Sequence, residues 1–171
     1  MDNILLVIGY GNTLRCDDGV GPRVAEGIEA LGLKGVLTLS CHQITPEIAY
    51  PISMAGSVLF VDAAVDEPGR LQLRRIEACS SSQVLEHAPS PKTLLALARD
   101  AFGRAPQAWM LTVPAEVLGY GEELSPMAQR GVKKAIKAAL GLYGSLRAAA
   151  QPAGSAGSAG AGTLPQVQVR T

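Results

Sequence analysis

Two adjacent carboxylates, Asp17 and Asp18, close a run of glycines and turn formers: Ile8-Gly9-Tyr10-Gly11-Asn12-Thr13-Leu14-Arg15-Cys16-Asp17-Asp18-Gly19-Val20-Gly21. One acid at a helix start has an ordinary use. It caps free N–H groups and meets the positive end of the helix dipole. Two acids exceed what a cap needs, so one can point into the crevice above the strand ends, where open α/β sheets bind ligands. A third acid, Asp62, ends an apolar run, and His87 stands just before a helix pattern. Each has a plainer use, Asp62 as a turn former and His87 as a solvated loop residue. Together, two carboxylates and one imidazole are also a donor set for a divalent cation, with positions left for solvent or substrate.

Other chemistries fit less well. A glycine turn between strand and helix can bind phosphate, which would make a nucleotide-binding domain. The dinucleotide fingerprint needs a third glycine at a fixed place, and this turn offers Asn12 and Leu14 instead. No Gly-Lys-Ser/Thr follows, and two aspartates at the helix mouth repel a phosphate and attract a cation. The three cysteines, Cys16, Cys41 and Cys79, form neither a disulfide framework nor a zinc spacing. Cys16 lies inside the motif but has no histidine near it in sequence.

The elements that must position these groups alternate along the chain. Ile4 to Ile8 reads as a buried strand. Val20, Val24, Ile28 and Leu31 then mark one helix face. Gly35 to Cys41 suits a strand, with His42 and Gln43 at its end. Thr45-Pro46 opens a helix whose inner face is Ile48, Ala49 and Ile52, and Gly56 breaks it. Ser57 to Val61 is a continuous apolar strand ending at Asp62. Asp66 to Gly69 reads as a turn, Leu71 to Ile76 as an edge strand, and Cys79 to Glu86 as a polar loop. Ser90-Pro91 opens a helix packed by Leu94, Leu95, Leu97, Ala98 and Phe102 and ended by Gly103. Ala108 to Val113 is the next strand, and Glu116 to Glu123 a loop. Ser125-Pro126 opens the last helix, with Val132, Ile136, Leu140 and Tyr143 inward and Lys133, Lys134 and Lys137 in water. This alternation predicts a three-layer α/β/α sandwich with a mostly parallel sheet and the active face at the strand ends.

The 171 residues suffice for one domain with a substantial core. Residues 1–148 are expected to form it. The tail 149–171 is expected to be disordered, because Gln151 to Gly162 falls to Pro, Gly, Ser and Ala, while Thr163 to Thr171 regains Leu164, Val167 and Val169. Fifteen basic and fifteen acidic residues cancel, so neither nucleic acid nor an anionic membrane is an expected partner. No apolar run is long enough to span a bilayer. Met1-Asp2-Asn3 lacks the basic region of a signal peptide, which predicts a cytoplasmic protein.

The run Gly9 to Gly21 resembles the signature of the hydrogenase maturation proteases. These endopeptidases trim the C-terminal extension from the large subunit of nickel–iron hydrogenases. Gln43-Ile44-Thr45-Pro46-Glu47-Ile48-Ala49 resembles the family's second segment, Val58-Leu59-Phe60-Val61-Asp62-Ala63 the strand with its second acid, and His87-Ala88-Pro89-Ser90-Pro91 its histidine segment. The wording is nearest to the subgroup serving cytoplasmic, often NAD-linked, hydrogenases. The resemblance covers about Ile4 to Leu146.

It implies a phosphorylase/hydrolase-like fold and an endopeptidase acting on the large-subunit precursor after nickel insertion. It implies that Asp18, Asp62 and His87 bind nickel, that of the substrate's nearly finished site. Gly11, Asn12, Gln43 and Thr45 are then the groups that meet the substrate. Catalysis falls to Asp18, Asp62 or Asp17, by a metal-activated water or by an aspartate acting as base. His42, a second imidazole near a strand end, stays open as a further member of the site. The same ligands would also serve a non-cleaving checkpoint that recognises nickel on its partner.

Overall fold

The computed structural model describes residues 4–65, 70–81 and 89–150. Four parallel strands make the body of one sheet: β1 (Leu5–Tyr10), β2 (Val36–Cys41), β3 (Ser57–Ala64) and β5 (Gln107–Pro114). A fifth, β4 (Gln72–Ile76), joins the edge antiparallel to β5. The order is β2-β1-β3-β5-β4. β1 and β3 are central, which is why their sequences are apolar on both faces. β3 runs on to Ala64, two residues past Asp62, because β5 continues alongside and pairs with it to Pro114.

Alternating side chains send the strand residues into two cores. Leu5, Val7, Leu59, Val61 and Leu111 meet α1 (Val20–Glu29) and α4 (Pro126–Ala150). Leu6, Ile8, Val58 and Phe60 meet α2 (Ala49–Met54) and α3 (Pro91–Phe102). The layers are therefore α1 and α4, then the sheet, then α2 and α3. Ser90 caps α3 in a reciprocal capping box with Thr93, Pro91 fills its first turn, and Gly103 ends it at φ 75°. Thr45 starts a short 3-10 turn, Pro46–Ile48, before α2 begins.

Some expected inner-face residues sit elsewhere. Leu31 follows the end of α1 and is half exposed. Phe102, in the last turn of α3, is half exposed and packs edge-on against Tyr50 with ring centres 5.5 Å apart. On α4 the buried residues are Ala128, Gly131, Ala135 and Ala139, while Val132, Ile136 and Tyr143 flank them, half-buried. Small residues win because the helix lies directly on the sheet: a Cβ at Gly131 would stand 2.7 Å from Val113 Cγ1.

α4 reaches Ala150, two residues beyond the expected domain end at 148. The expected tail from 151, the turn Asp66 to Gly69, and most of the polar loop after Cys79 lie outside the described residues. Among the described residues no helix is long and apolar enough to cross a membrane.

Candidate active site

The first motif folds as one tight turn at the carboxyl end of β1. Gly11 sits at φ +138°, and a Cβ there would lie 2.0 Å from the Asp18 carbonyl oxygen. Only glycine lets the two backbones pass so closely. The Asn12 N–H donates to Asp18 Oδ2 at 2.8 Å, and Asn12 Oδ1 accepts the Leu14 N–H at 2.9 Å. The Asp18 carboxylate is thus fixed above the strand end by the turn itself. Gly11→Ala is expected to destabilise the fold by about 2 kcal/mol or more and to displace Asp18. A melting curve indistinguishable from wild type would refute this.

The two aspartates divide differently from the expectation that one caps α1. The residue before α1 is Gly19, and no side chain caps that helix. Asp17 is fully buried. Its Oδ2 accepts the N–H groups of Glu116 and Val117 at 2.9 and 3.0 Å, and its Oδ1 accepts the Ser125 N–H at 2.7 Å. Burial alone pushes the Asp17 carboxyl up, but these three donors outweigh it and hold it below the ordinary carboxylate range. Both oxygens are taken up by these backbone donors, and Asp17 does not line the crevice over the strand ends. Asp17, a catalytic candidate from the sequence, here ties the loop after β5 to the motif.

A crevice of about 690 Å³ opens over the strand ends on the α2 and α3 face. Asp18, Gly11 and Asn12 line it from the motif, and Asp62 from β3. Gln43, Thr45 and His42 line it from the chain after β2. Pro89, Ser90 and Pro91 close it at the start of α3. His87 lies outside the described residues. Among the described residues no group of three or more His, Cys, Asp or Glu side chains is placed to hold a metal. Asp18 and Asp62 are brought together; Asp17 and Cys16 do not line the crevice.

Asp62 accepts the Ala63 N–H at 2.8 Å. Burial raises its carboxyl above the ordinary range, and the Asp18 charge adds to the rise; Tyr10 and the Ala63 N–H oppose it in part. Burial first and Asp62 second also push the Tyr10 hydroxyl well above its usual range. An acid raised in the folded state is worth most below its unfolded pKa, and that stability is lost as pH rises through its folded pKa. At neutral pH the ionised Asp62 therefore costs stability. Asp62→Asn keeps the Ala63 bond and removes the charge, so its melting temperature at pH 7 is expected to exceed wild type, with the gap closing toward pH 4. An equal gap at both pH values would show that the ionised carboxylate, buried and beside Asp18, is not the cause.

Tyr10 and Arg15 also line the crevice and were not singled out from the sequence. Tyr10 was legible in principle. It ends β1 two residues after Ile8, so alternation points it over the same face.

No protein-family model and no curated protein matches the chain. Solved structures do. The hydrogenase maturating endopeptidase HybD from E. coli superposes with a TM-score of 0.65 at 22% identity, over 86% of this chain and 94% of that one. A hydrogenase 2 maturation peptidase from Thaumarchaeota archaeon SCGC_AB-539-E09 gives 0.63 at 25% identity, over 82% and 98%. The chain has the hydrogenase maturation protease fold. A third such structure, the [NiFe] hydrogenase maturation protease HycI from Thermococcus kodakarensis KOD1, gives 0.64 at 22% identity, over 85% and 93%. Each neighbour is covered more fully than this chain is, so the length beyond the hydrogenase maturation protease fold belongs to this chain.

Proposed function

We propose that the protein is an endopeptidase that removes the C-terminal extension of a nickel–iron hydrogenase large-subunit precursor once nickel is in place. The observation that carries the reading is one crevice lined by both Asp18 and Asp62 in a chain with this fold. The nickel is the substrate's own. The donor chemistry fits it: Asp62 is held against ionisation by burial and by Asp18, and a divalent cation between the carboxylates would relieve both. His87 supplies the third donor on the strength of the resemblance, and Pro89, two residues on, lines the crevice.

When bound, the metal supplies Lewis acidity toward the scissile carbonyl and its water. The chain's own residues do the rest. Asp18 is oriented by the Asn12 N–H, so its remaining lone pairs face the crevice. Whichever of Asp18 and Asp62 does not hold the metal is free to accept a proton from water. Gly11, without a side chain, lets an extended peptide approach the turn. Gln43 and Thr45, which line the crevice from the chain after β2, offer polar side chains to its backbone. We place the reaction in the cytoplasm, on the resemblance to the subgroup serving cytoplasmic hydrogenases.

Incubation with nickel-loaded precursor is expected to give a shortened large subunit, and nickel-free precursor is expected to stay uncut. A stable complex with uncut, nickel-loaded precursor would instead make the protein a checkpoint module.

A further inference from the structure

The loop after β5 and the motif turn bonded to it hold large side chains in water. Leu14 is 58% exposed, Val117 44% and Tyr120 98%. The parallel bridge of Arg15 with Gly121 sets Leu14 beside Tyr120. Around it, the Cys16 N–H donates to the Gly121 carbonyl at 2.7 Å and the Gly121 N–H to the Leu14 carbonyl at 2.9 Å. The Arg15 guanidinium donates to the Leu118 carbonyl at 3.2 Å, and Asp17 holds the loop from beneath. A segment bonded this densely has little entropy left to lose when something binds it.

Its chemistry is that of an interface. Val117 to Gly121 carries no charge, and the exposed acids Glu116, Glu122 and Glu123 border it. An apolar centre with a charged rim is the ordinary anatomy of a protein contact, and tyrosine is enriched among its energetic anchors. The surface is continuous with the crevice, because the turn that presents Leu14 also sends Asn12, Arg15 and Asp18 into it.

We propose that Leu14, Val117 and Tyr120 form a preorganised shoulder that docks the folded body of the protein substrate beside its scissile segment. The partner surface it fits is apolar and bordered by Lys or Arg, complementary to the three acids. This rests on the peptidase reading above.

The test uses the nickel-loaded large-subunit precursor with Tyr120→Ser, with Glu122→Lys, and with Tyr50→Ser as a control on an exposed aromatic that does not line the crevice. Tyr120 is almost wholly in water, so Tyr120→Ser is expected to melt as wild type does. It is expected to raise KM about tenfold or more with kcat within about twofold, and to weaken binding of uncut precursor by the same factor. Glu122→Lys is expected to slow association at low salt and flatten its salt dependence. Tyr50→Ser changes neither. A wild-type KM for Tyr120→Ser, with wild-type cleavage intact, overturns the docking shoulder and leaves the peptidase standing. Wild-type protein that binds without cutting overturns the peptidase, and the binding of Tyr120→Ser then decides the shoulder. Wild-type protein that neither binds nor cuts overturns both.

Discussion

Asp18→Ala and Asp62→Ala are each expected to abolish processing of nickel-loaded precursor, by about a hundredfold or more, while the protein stays folded. The magnitude follows from their place. Even partners one step removed from a metal cost 10- to 100-fold when lost, and these two carboxylates face the crevice directly. The fold survives because each holds little of it. Asp18 accepts one N–H from Asn12, and Asp62 one from Ala63. A single such bond is worth about 1 kcal/mol. Asp62→Ala also removes the cost of a buried charge, so its stability loss is the smaller of the two. The double variant is expected to be no worse than either single one, since removing one ligand already opens the site. The measurements are a gel assay of precursor shortening and a thermal melt. Either alanine variant processing within threefold of wild type would end the two-carboxylate site. His87→Ala is expected to match them, on the resemblance alone.

Asp17→Ala is expected to be the most destabilising substitution in the motif, at about 4 kcal/mol or more. Hydrogen bonds to a charged group contribute about 1.5–3 kcal/mol each, and a buried donor left without its acceptor carries its desolvation penalty. Three N–H groups, of Glu116, Val117 and Ser125, lose their acceptor at once. Domains of this size have about 5–15 kcal/mol in total, so much of the stability is at stake. Asp17→Asn replaces one acceptor oxygen with a donor and fares little better. The pH dependence has a definite sign. Asp17 is depressed in the folded state, so its contribution is fully present above the unfolded aspartate value and is lost as pH falls through the folded one. Wild type therefore loses this stability in acid, and Asp17→Ala, having none to lose, shows a flatter profile there. Urea unfolding across pH measures both quantities. A loss under about 1 kcal/mol at pH 7 would return Asp17 to the role of a simple cap.

Local signals carried the layer order and most element ends. Ser90-Pro91 and Gly103 bracket α3 because capping, proline geometry and the left-handed glycine act within a few residues. The apolar run of Ser57 to Val61 marks a buried strand, and the acid after it comes out at the carboxyl edge of the sheet. Gly11 was legible as a turn, and Asp18 with Asp62 as candidate donors.

What the tertiary structure alone decided is which of two neighbouring aspartates does what. Asp17 and Asp18 are equivalent to any short-range rule. They part because Asp17 meets N–H groups 99 to 108 residues away, while Asp18 meets Asn12 within its own turn. The buried face of α4 is a matter of the same kind. Helical spacing offered a stripe of large residues, but the closeness of β5 selected Ala and Gly, since only small side chains let a helix backbone approach a sheet so nearly. The chain by itself specified its elements and its inventory of reactive groups. Pairing across long separations assigned those groups their roles, because a carboxylate's function depends on which donors surround it.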